Sequence, residues 1–429
     1  MEEIQSAGAV ARGRRPGRVP EPLRLDSIEQ SEAFRLMTGI GEFDRVLGGG
    51  MVPGAVTLVG GDPGIGKSTL VLQALAELAK LAKLADSNSG SGSLLYISAE
   101  ESPSQIKLRA DRMGLSSPEI LILPATSVEE IIEAADAASP GLIAVDSIQM
   151  VHTAEIASAP GSVGQVRESA ARLTAYAKKT GVPMLIIGHV TKDGSIAGPK
   201  VLEHIVDTVL YFEGDGGRPF RILRTVKNRF GSTHEIGVFT MTGRGLVEVS
   251  NPSELFLAEH SLNVPGSVVT ASVEGTRPLL IEIQALVSPS GFGNPRRTAL
   301  GIDTNRGNII LAVLEKRAGL QLSGCDVYLN VVGGIRLDDT AADLAIAIAA
   351  ASSLRDKPVP PRTMVFGEIG LSGELRAVAR ADSRLKEAAK LGFETVVMPE
   401  GNASGMDDSP GMKIIAPRNV EEALLSIFS

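Results

Sequence analysis

An apolar run of strand length, Ala55-Val56-Thr57-Leu58-Val59, leads at once into a glycine-rich stretch. That stretch reads Gly61-Asp62-Pro63-Gly64-Ile65-Gly66-Lys67-Ser68, and helical periodicity begins at Ser68. A strand, a tight glycine loop and a helix in that order leave few folds open. Glycines let the backbone wrap closely enough to aim several N–H groups at one phosphate, and the following helix adds the positive end of its dipole. Lys67 is placed to reach β- and γ-phosphates as a point charge, and Ser68, with Thr69 beside it, to hold Mg²⁺. Residues Gly61, Asp62, Pro63, Gly64, Ile65, Gly66, Lys67, Ser68 and Thr69 are therefore the candidate nucleotide contacts, and ATP and Mg²⁺ the implied cofactors. The alternative, a chance glycine-rich turn, does not account for the strand before and the helix after.

The same pattern continues. Short apolar runs at 94–97, 120–123, 142–145 and 184–187 are mostly separated by helix-patterned segments such as 105–113 and 128–138. Buried strands alternating with helices describe an α/β fold with a parallel sheet covered on both faces. Runs at 209–212, 220–226 and 235–240 stand closer together and predict added antiparallel strands. At 429 residues the chain is too long for one core. We expect a flexible Arg/Gly/Pro-rich tail over 1–30, a first domain over 31–252, and an α+β domain over 260–429. In the second domain, 268–273 and 279–286 read as a hairpin. Segments 327–332, 364–369 and 395–398 read as strands, and 309–317, 341–354, 383–391 and 420–428 as helices.

Composition narrows the class. Hydrophobic residues make up 43% and charged residues 21%, which is a globular balance. No apolar stretch is long enough to span a bilayer. Arg12, Arg14, Arg15 and Arg18 are followed by no apolar run, so no signal peptide is read and a cytoplasmic protein without membrane contact is expected. The single cysteine, Cys325, rules out an intramolecular disulfide and a cysteine-based zinc site. With no Trp and 3% aromatics, base stacking is not expected to dominate nucleic-acid binding. A net charge of −8 argues against a uniformly basic surface but is compatible with a local basic groove.

A metal-bound phosphate needs a second acidic group at the end of a neighbouring strand, and Leu142-Ile143-Ala144-Val145-Asp146 ends on one. Hydrolysis also needs a carboxylate for the attacking water. Glu100 and Glu101 follow the run at 94–98, where a solvated acidic pair at a helix start is the competing explanation. His189 ends the run at 184–188, placed either to sense a γ-phosphate or simply to be buried and satisfied.

Several motifs together resemble the bacterial RadA (Sms) family of DNA-repair ATPases. They are the loop from Gly60 to Leu70, Leu95-Tyr96-Ile97-Ser98-Ala99-Glu100-Glu101-Ser102, and Gly188-His189-Val190-Thr191-Lys192-Asp193-Gly194. To these add Ala197-Gly198-Pro199-Lys200-Val201-Leu202-Glu203-His204 and the pentapeptide Lys227-Asn228-Arg229-Phe230-Gly231. The resemblance implies a RecA-like ATPase domain followed by a Lon protease-like domain. It further implies hexameric rings on single-stranded or branched DNA in recombinational repair, with the RecA recombinase as a candidate partner. By that likeness Glu100 is the catalytic carboxylate, and Lys227 and Arg229 are fingers inserted into a neighbouring subunit's ATP site. Without it, those two cations would read as a basic strand edge.

Two departures stand out. Members of this family usually begin with a four-cysteine zinc ribbon, which this sequence does not contain, so zinc is not carried over. A Lon-type protease needs a nucleophilic Ser after a Gly-Gly turn and a Lys to activate it. Here Gly333-Gly334 leads to Ala341 at the serine position, and Arg384, or Lys386 if the register slips, stands near the lysine. Proteolysis is not expected. Arg296, Arg297, Arg306 and Arg336, in or beside predicted loops, are candidate DNA-phosphate contacts, as are Lys316 and Arg317, against the alternative of scattered solvated cations. The Arg12–Arg18 segment is a further, weaker candidate. Two rival functions remain: an ATP-dependent Lon-like protease and a KaiC-like signalling ATPase.

Overall fold

The computed structural model describes residues 35–84, 93–189, 199–214, 220–258, 260, 263–291, 295–404 and 411–429. The expected tail over 1–30, Val190 to Gly194 and Ala197-Gly198 lie outside the described residues. In the first sheet, β1 (Val56–Gly61) is buried at every position, which explains its unbroken apolar run: a strand covered on both faces has no polar side. It feeds the loop and α2 (Lys67–Leu84). Preceding it is α1 (Gly41–Leu47), stopped by Gly48 in the left-handed conformation. Then come β2 (Leu94–Ser98), α3 (Pro103–Arg112), β3 (Ile120–Pro124), α4 (Val128–Ala138), β4 (Leu142–Asp146), α5 (Val163–Thr180) and β5 (Met184–His189). The sheet closes with β6 (Thr208–Glu213), β7 (Phe220–Asn228), β8 (Ile236–Thr242) and β9 (Gly245–Glu248).

Strand order is β3-β2-β4-β5-β1-β6-β7-β8-β9. The first six are parallel, so the expectation that 209–212 would be antiparallel is corrected. Instead β6 runs alongside β1, with Thr57 opposite Thr208, and only β7, β8 and β9 reverse. The reason is that the described part of the connection, 199–207, holds only a one-turn helix, Pro199–Val201, too short to show periodicity. Helices α1, α2 and α3 cover one face, and α4 and α5 the other.

A short helix, α6 (Pro252–Leu257), capped by Asn251, stands where the sequence suggested only a break. The second sheet follows: β10 (Ser267–Glu274), β11 (Arg277–Pro289), β12 (Arg297–Leu300), α7 (Thr304–Ala318), β13 (Cys325–Val331), α8 (Asp343–Arg355) and β14 (Thr363–Val365). A small two-stranded pair, β15 (Glu368–Ile369) and β16 (Leu375–Arg376), leads on to α9 (Ala381–Lys390), β17 (Thr395–Val397), α10 (Glu400–Ala403), β18 (Lys413–Ile415) and α11 (Val420–Phe428). The main order is β12-β13-β11-β10-β14-β17-β18. Segment 364–369, expected as one strand, is two strands in two sheets. Gly367 breaks it at φ 155°, and an added Cβ there would come within 2.8 Å of Pro399. Helix α7 begins five residues before its apolar periodicity because the Asp303 carboxylate accepts from Arg306 N at 2.8 Å and caps it.

The tip of the β10–β11 hairpin reaches the first sheet. Arg277 donates to both carboxylate oxygens of Glu42 at 2.9 and 2.7 Å, and Arg224 of β7 pairs with Glu274 at 2.5 Å. Among the described residues no helix is long and apolar enough to cross a membrane.

Candidate active site

The loop owes its shape to glycines. Gly61, Gly64 and Gly66 have φ of 147°, 77° and 119°, values that L side chains rarely adopt. An added Cβ would meet Phe212 at 3.0 Å from Gly61 and the Met241 methyl at 2.8 Å from Gly66. Lys67 opens α2 and is 3% exposed. Its ammonium donates to Gly61 O at 2.8 Å and Asp62 O at 2.9 Å. Burial pulls its pKa down to about 8, against the upward pull of Asp146, Asp62 and Glu100. Ser68 and Thr69 follow in the first turn, half-buried.

Pleat parity decides where Asp146 points. Leu94, Tyr96, Leu142 and Ala144 pack on the α2 face, whereas Leu95, Ile97, Ile143 and Val145 pack on the other. Asp146 shares the parity of Ala144, so its carboxylate lies on the side where α2 begins. Its Oδ2 accepts from the Tyr96 hydroxyl, and its main-chain O from Ala99 N at 2.7 Å. Burial pushes the Tyr96 phenol well above its ordinary range, so it is a donor at neutral pH.

Glu100 lies just past β2. Its Oε1 accepts from the Ser147 hydroxyl and stands 3.3 Å from His189 Nε2. The His189 hydrogen bond is the main cause holding this carboxyl below its ordinary range, so Glu100 is ionised at neutral pH. His189 ends β5 directly opposite Gly61, and its carbonyl accepts from Gln149 Nε2 at 3.2 Å. The structure thus gathers Lys67, Asp146, Glu100 and His189 at one end of the parallel strands, against the loop. Sequence reasoning gave no role to Tyr96, Ser147 or Gln149. For Tyr96 a signal existed: a phenol inside a wholly buried strand needs a partner for its hydroxyl.

Residues 20–195 match the family model of AAA domains, and 306–402 that of the ChlI subunit of Mg-chelatase. The chain is 55% identical over 406 residues to DNA repair protein RadA of Bacillus subtilis, covering 95% of this chain and 87% of the relative. Against DNA repair protein RadA of Pseudomonas aeruginosa it is 50% identical over 404 residues, covering 94% and 87%. With that of Streptococcus pneumoniae it shares 46% over 430 residues and the full length of both. The chain belongs to the RadA family.

Its first sheet is the RecA-like P-loop ATPase fold of that family, and the second is Lon protease-like. The family's pentapeptide lies elsewhere. Asn228 ends β7 opposite Thr208, which stands opposite Thr57 at the start of β1. Gly61 is four residues further along β1, about 13 Å at the usual strand rise. Lys227 Nζ donates to Glu203 O at 2.6 Å and Val206 O at 2.7 Å. Arg229 bonds the buried Asp207 carboxylate at 3.0 Å, which also accepts from Val56 N at 3.1 Å. Both cations therefore sit at the opposite end of the sheet from their own chain's P-loop.

In the Lon-like domain, Ala341 is wholly buried in a one-turn helix, Thr340–Ala342, before α8. Arg384, not the exposed Lys386, faces that turn. It is 2% exposed, pairs with Asp339 at 2.7 Å, donates to Ala271 O and lies 5.7 Å from the Phe366 ring centre. Of the DNA-contact candidates, Arg306 is held by the buried Asp343 carboxylate through Nε at 2.9 Å and through Nη2. Arg336 is exposed and pairs with Asp338. Arg297, expected in a loop, opens the edge strand β12, and the main-chain N–H of Arg296 donates to Asp326 at 2.7 Å.

Proposed function

We propose that this chain is a DNA-dependent ATPase motor of recombinational DNA repair, assembled as a ring on single-stranded or branched DNA. Lys67 and the loop N–H groups grip the β- and γ-phosphates, and Ser68 and Asp146 would hold Mg²⁺. That ion, when bound, neutralises phosphate charge as the transferred group departs. Glu100, already ionised, takes the proton of the attacking water, and His189 holds the carboxylate in place while sensing the γ-phosphate.

One observation carries the ring: Lys227 and Arg229 lie about 13 Å along the strands from their own P-loop, too far to act in cis. A neighbouring subunit's P-loop supplies the phosphate that these cations, resting on two carbonyls and on Asp207 within their own chain, would turn to meet. A cation that meets developing γ-phosphate charge only on docking couples hydrolysis to assembly. The Lon-like domain carries no nucleophile at Ala341, and its exposed arginines, Arg336 among them, serve phosphate contact without sequence readout.

Mixing subunits tests this. Lys67→Ala and Arg229→Ala chains should each be inactive, with losses of about 10³-fold or more for the arginine. Mixed before assembly, they should regain activity where an intact P-loop meets an intact finger, and single-stranded DNA should stimulate it. No rescue would place the finger in cis. Rescue without any DNA effect would keep the ring and remove the DNA-dependent motor.

A further inference from the structure

Tyr96 is among the largest fully buried side chains of the protein, at 1% exposure within the apolar strand β2. A phenylalanine would fill the same volume with no polar atom to satisfy, so the hydroxyl is the informative part. It donates to Oδ2 of Asp146, two strand positions along on the neighbouring β4. A second hold comes from the same strand's end, where Ala99 N donates to Asp146 O at 2.7 Å. Among the described residues no hydrogen bond reaches the other carboxylate oxygen, Oδ1.

This arrangement differs from an ion pair in one physical respect. A neutral phenol donor fixes the carboxylate's rotation while leaving its full charge, whereas an arginine would cancel it. A freely rotating carboxylate must lose that freedom when it takes a cation; one already fixed has lost it in folding. The charge of Arg109 is felt at the Tyr96 phenol, but its guanidinium is paired with Glu101.

We propose that Tyr96 is a positioning residue for the metal of the ATP site, its hydroxyl presetting the Asp146 carboxylate for Mg²⁺. The proposal rests on the assignment of Asp146 to the metal, and its test separates the two. Full-length wild type, Tyr96→Phe and Asp146→Asn are titrated with a fluorescent ATP analogue in EDTA, then with Mg²⁺ at fixed nucleotide.

In EDTA wild type and Tyr96→Phe should bind nucleotide alike, and Asp146→Asn at least as tightly, because it removes a negative charge facing the phosphates. For Tyr96→Phe the Mg²⁺ concentration giving half the signal change should rise about tenfold, the lower end of what losing an outer-shell partner costs. Asp146→Asn should raise it further. If Tyr96→Phe leaves the Mg²⁺ midpoint unchanged while Asp146→Asn shifts it, Tyr96 is a packing residue and the proposal fails. Loss of metal-free binding in Tyr96→Phe overturns it equally, because the hydroxyl would then be supporting the fold. If neither variant moves the midpoint, the metal role of Asp146 falls and the proposal with it.

Discussion

Both halves of the molecule gather charged side chains at the end of a sheet, next to the start of a helix, and they treat those charges in opposite ways. In the Lon-like half, Arg384 meets Asp339 and Arg306 meets Asp343, charge against charge. The position that would bear a nucleophile is an alanine in the core. In the RecA-like half, the Asp146 carboxylate is held by a phenol, and that of Glu100 by a serine hydroxyl and His189. Lys67 rests on two carbonyls and, among the described residues, forms no ion pair with a carboxylate. A neutral donor such as the Tyr96 phenol holds a carboxylate in place without cancelling it, so its charge stays available to a cation. An ion pair satisfies the same burial requirement and leaves nothing over. Similar residue types thus leave the Asp146 carboxylate, among the described residues, without a cationic partner in one half and pair Asp339 and Asp343 with arginines in the other.

The sharpest way to break that contrast is Glu100→Gln. The amide keeps the shape and accepts from Ser147 but cannot take a proton. We expect kcat to fall by about 10² to 10⁴-fold, the usual worth of a general base, with nucleotide affinity kept. Single-turnover hydrolysis beside a binding titration checks it. A loss of less than about tenfold, well short of that range, would return Glu100 to the solvated acidic pair that its sequence neighbourhood alone allowed.

Much of this site was legible in the sequence, for physical reasons. A phosphate loop must be contiguous, so its glycines and Lys67 stand together between a strand and a helix. Asp146 ends an apolar run because the strand carries it to the sheet's edge. What was not legible is what depends on register between strands. Tyr96 reaches Asp146 only because β2 and β4 are neighbours with Ser98 opposite Asp146. Glu100 rose above its local ambiguity only through family likeness; the structure sets its carboxylate beside Ser147 and His189, a register effect no motif displays. In the second half, apolar periodicity found α8 and α11 but ran two strands together across Gly367, where the backbone breaks an otherwise continuous apolar run. The late start assigned to α7 has the same origin: its first turn is polar and is held by a cap that periodicity does not register.

Lys67 offers a more graded test. Its ammonium titrates at about 8 in the protein alone because burial disfavours the charged form. A phosphate favours that form and raises the value in the complex. Below pH 8 the free protein already carries the proton, so nucleotide affinity should be flat. Above it, binding must take up a proton, and affinity should fall by up to about tenfold per pH unit, or 1.4 kcal/mol. Fluorescence titrations from pH 7 to 9.5 would show the break, and proton uptake in two buffers of different ionisation enthalpy would confirm its origin. A flat profile would mean that phosphate does not meet this ammonium.

The smallest expected effect probes the other half. Ala341→Ser places a hydroxyl where a Lon-type nucleophile would stand, yet no peptide or casein cleavage should appear, with or without ATP. A serine nucleophile needs a base within reach, and the basic group facing this turn is Arg384. A guanidinium stays protonated at any working pH and has no lone pair to accept a proton. Arg384 is moreover fixed to Asp339 and to Ala271 O, so it cannot turn to serve as an oxyanion donor without leaving a half-buried carboxylate unpaired. The double variant Ala341→Ser with Arg384→Lys is the stricter form, because lysine can lose its proton when buried. Cleavage by the double variant alone would show that the fold retains a competent site and that two side chains separate structure from catalysis. Cleavage by the single variant would show that the ion pair is not what silences this half.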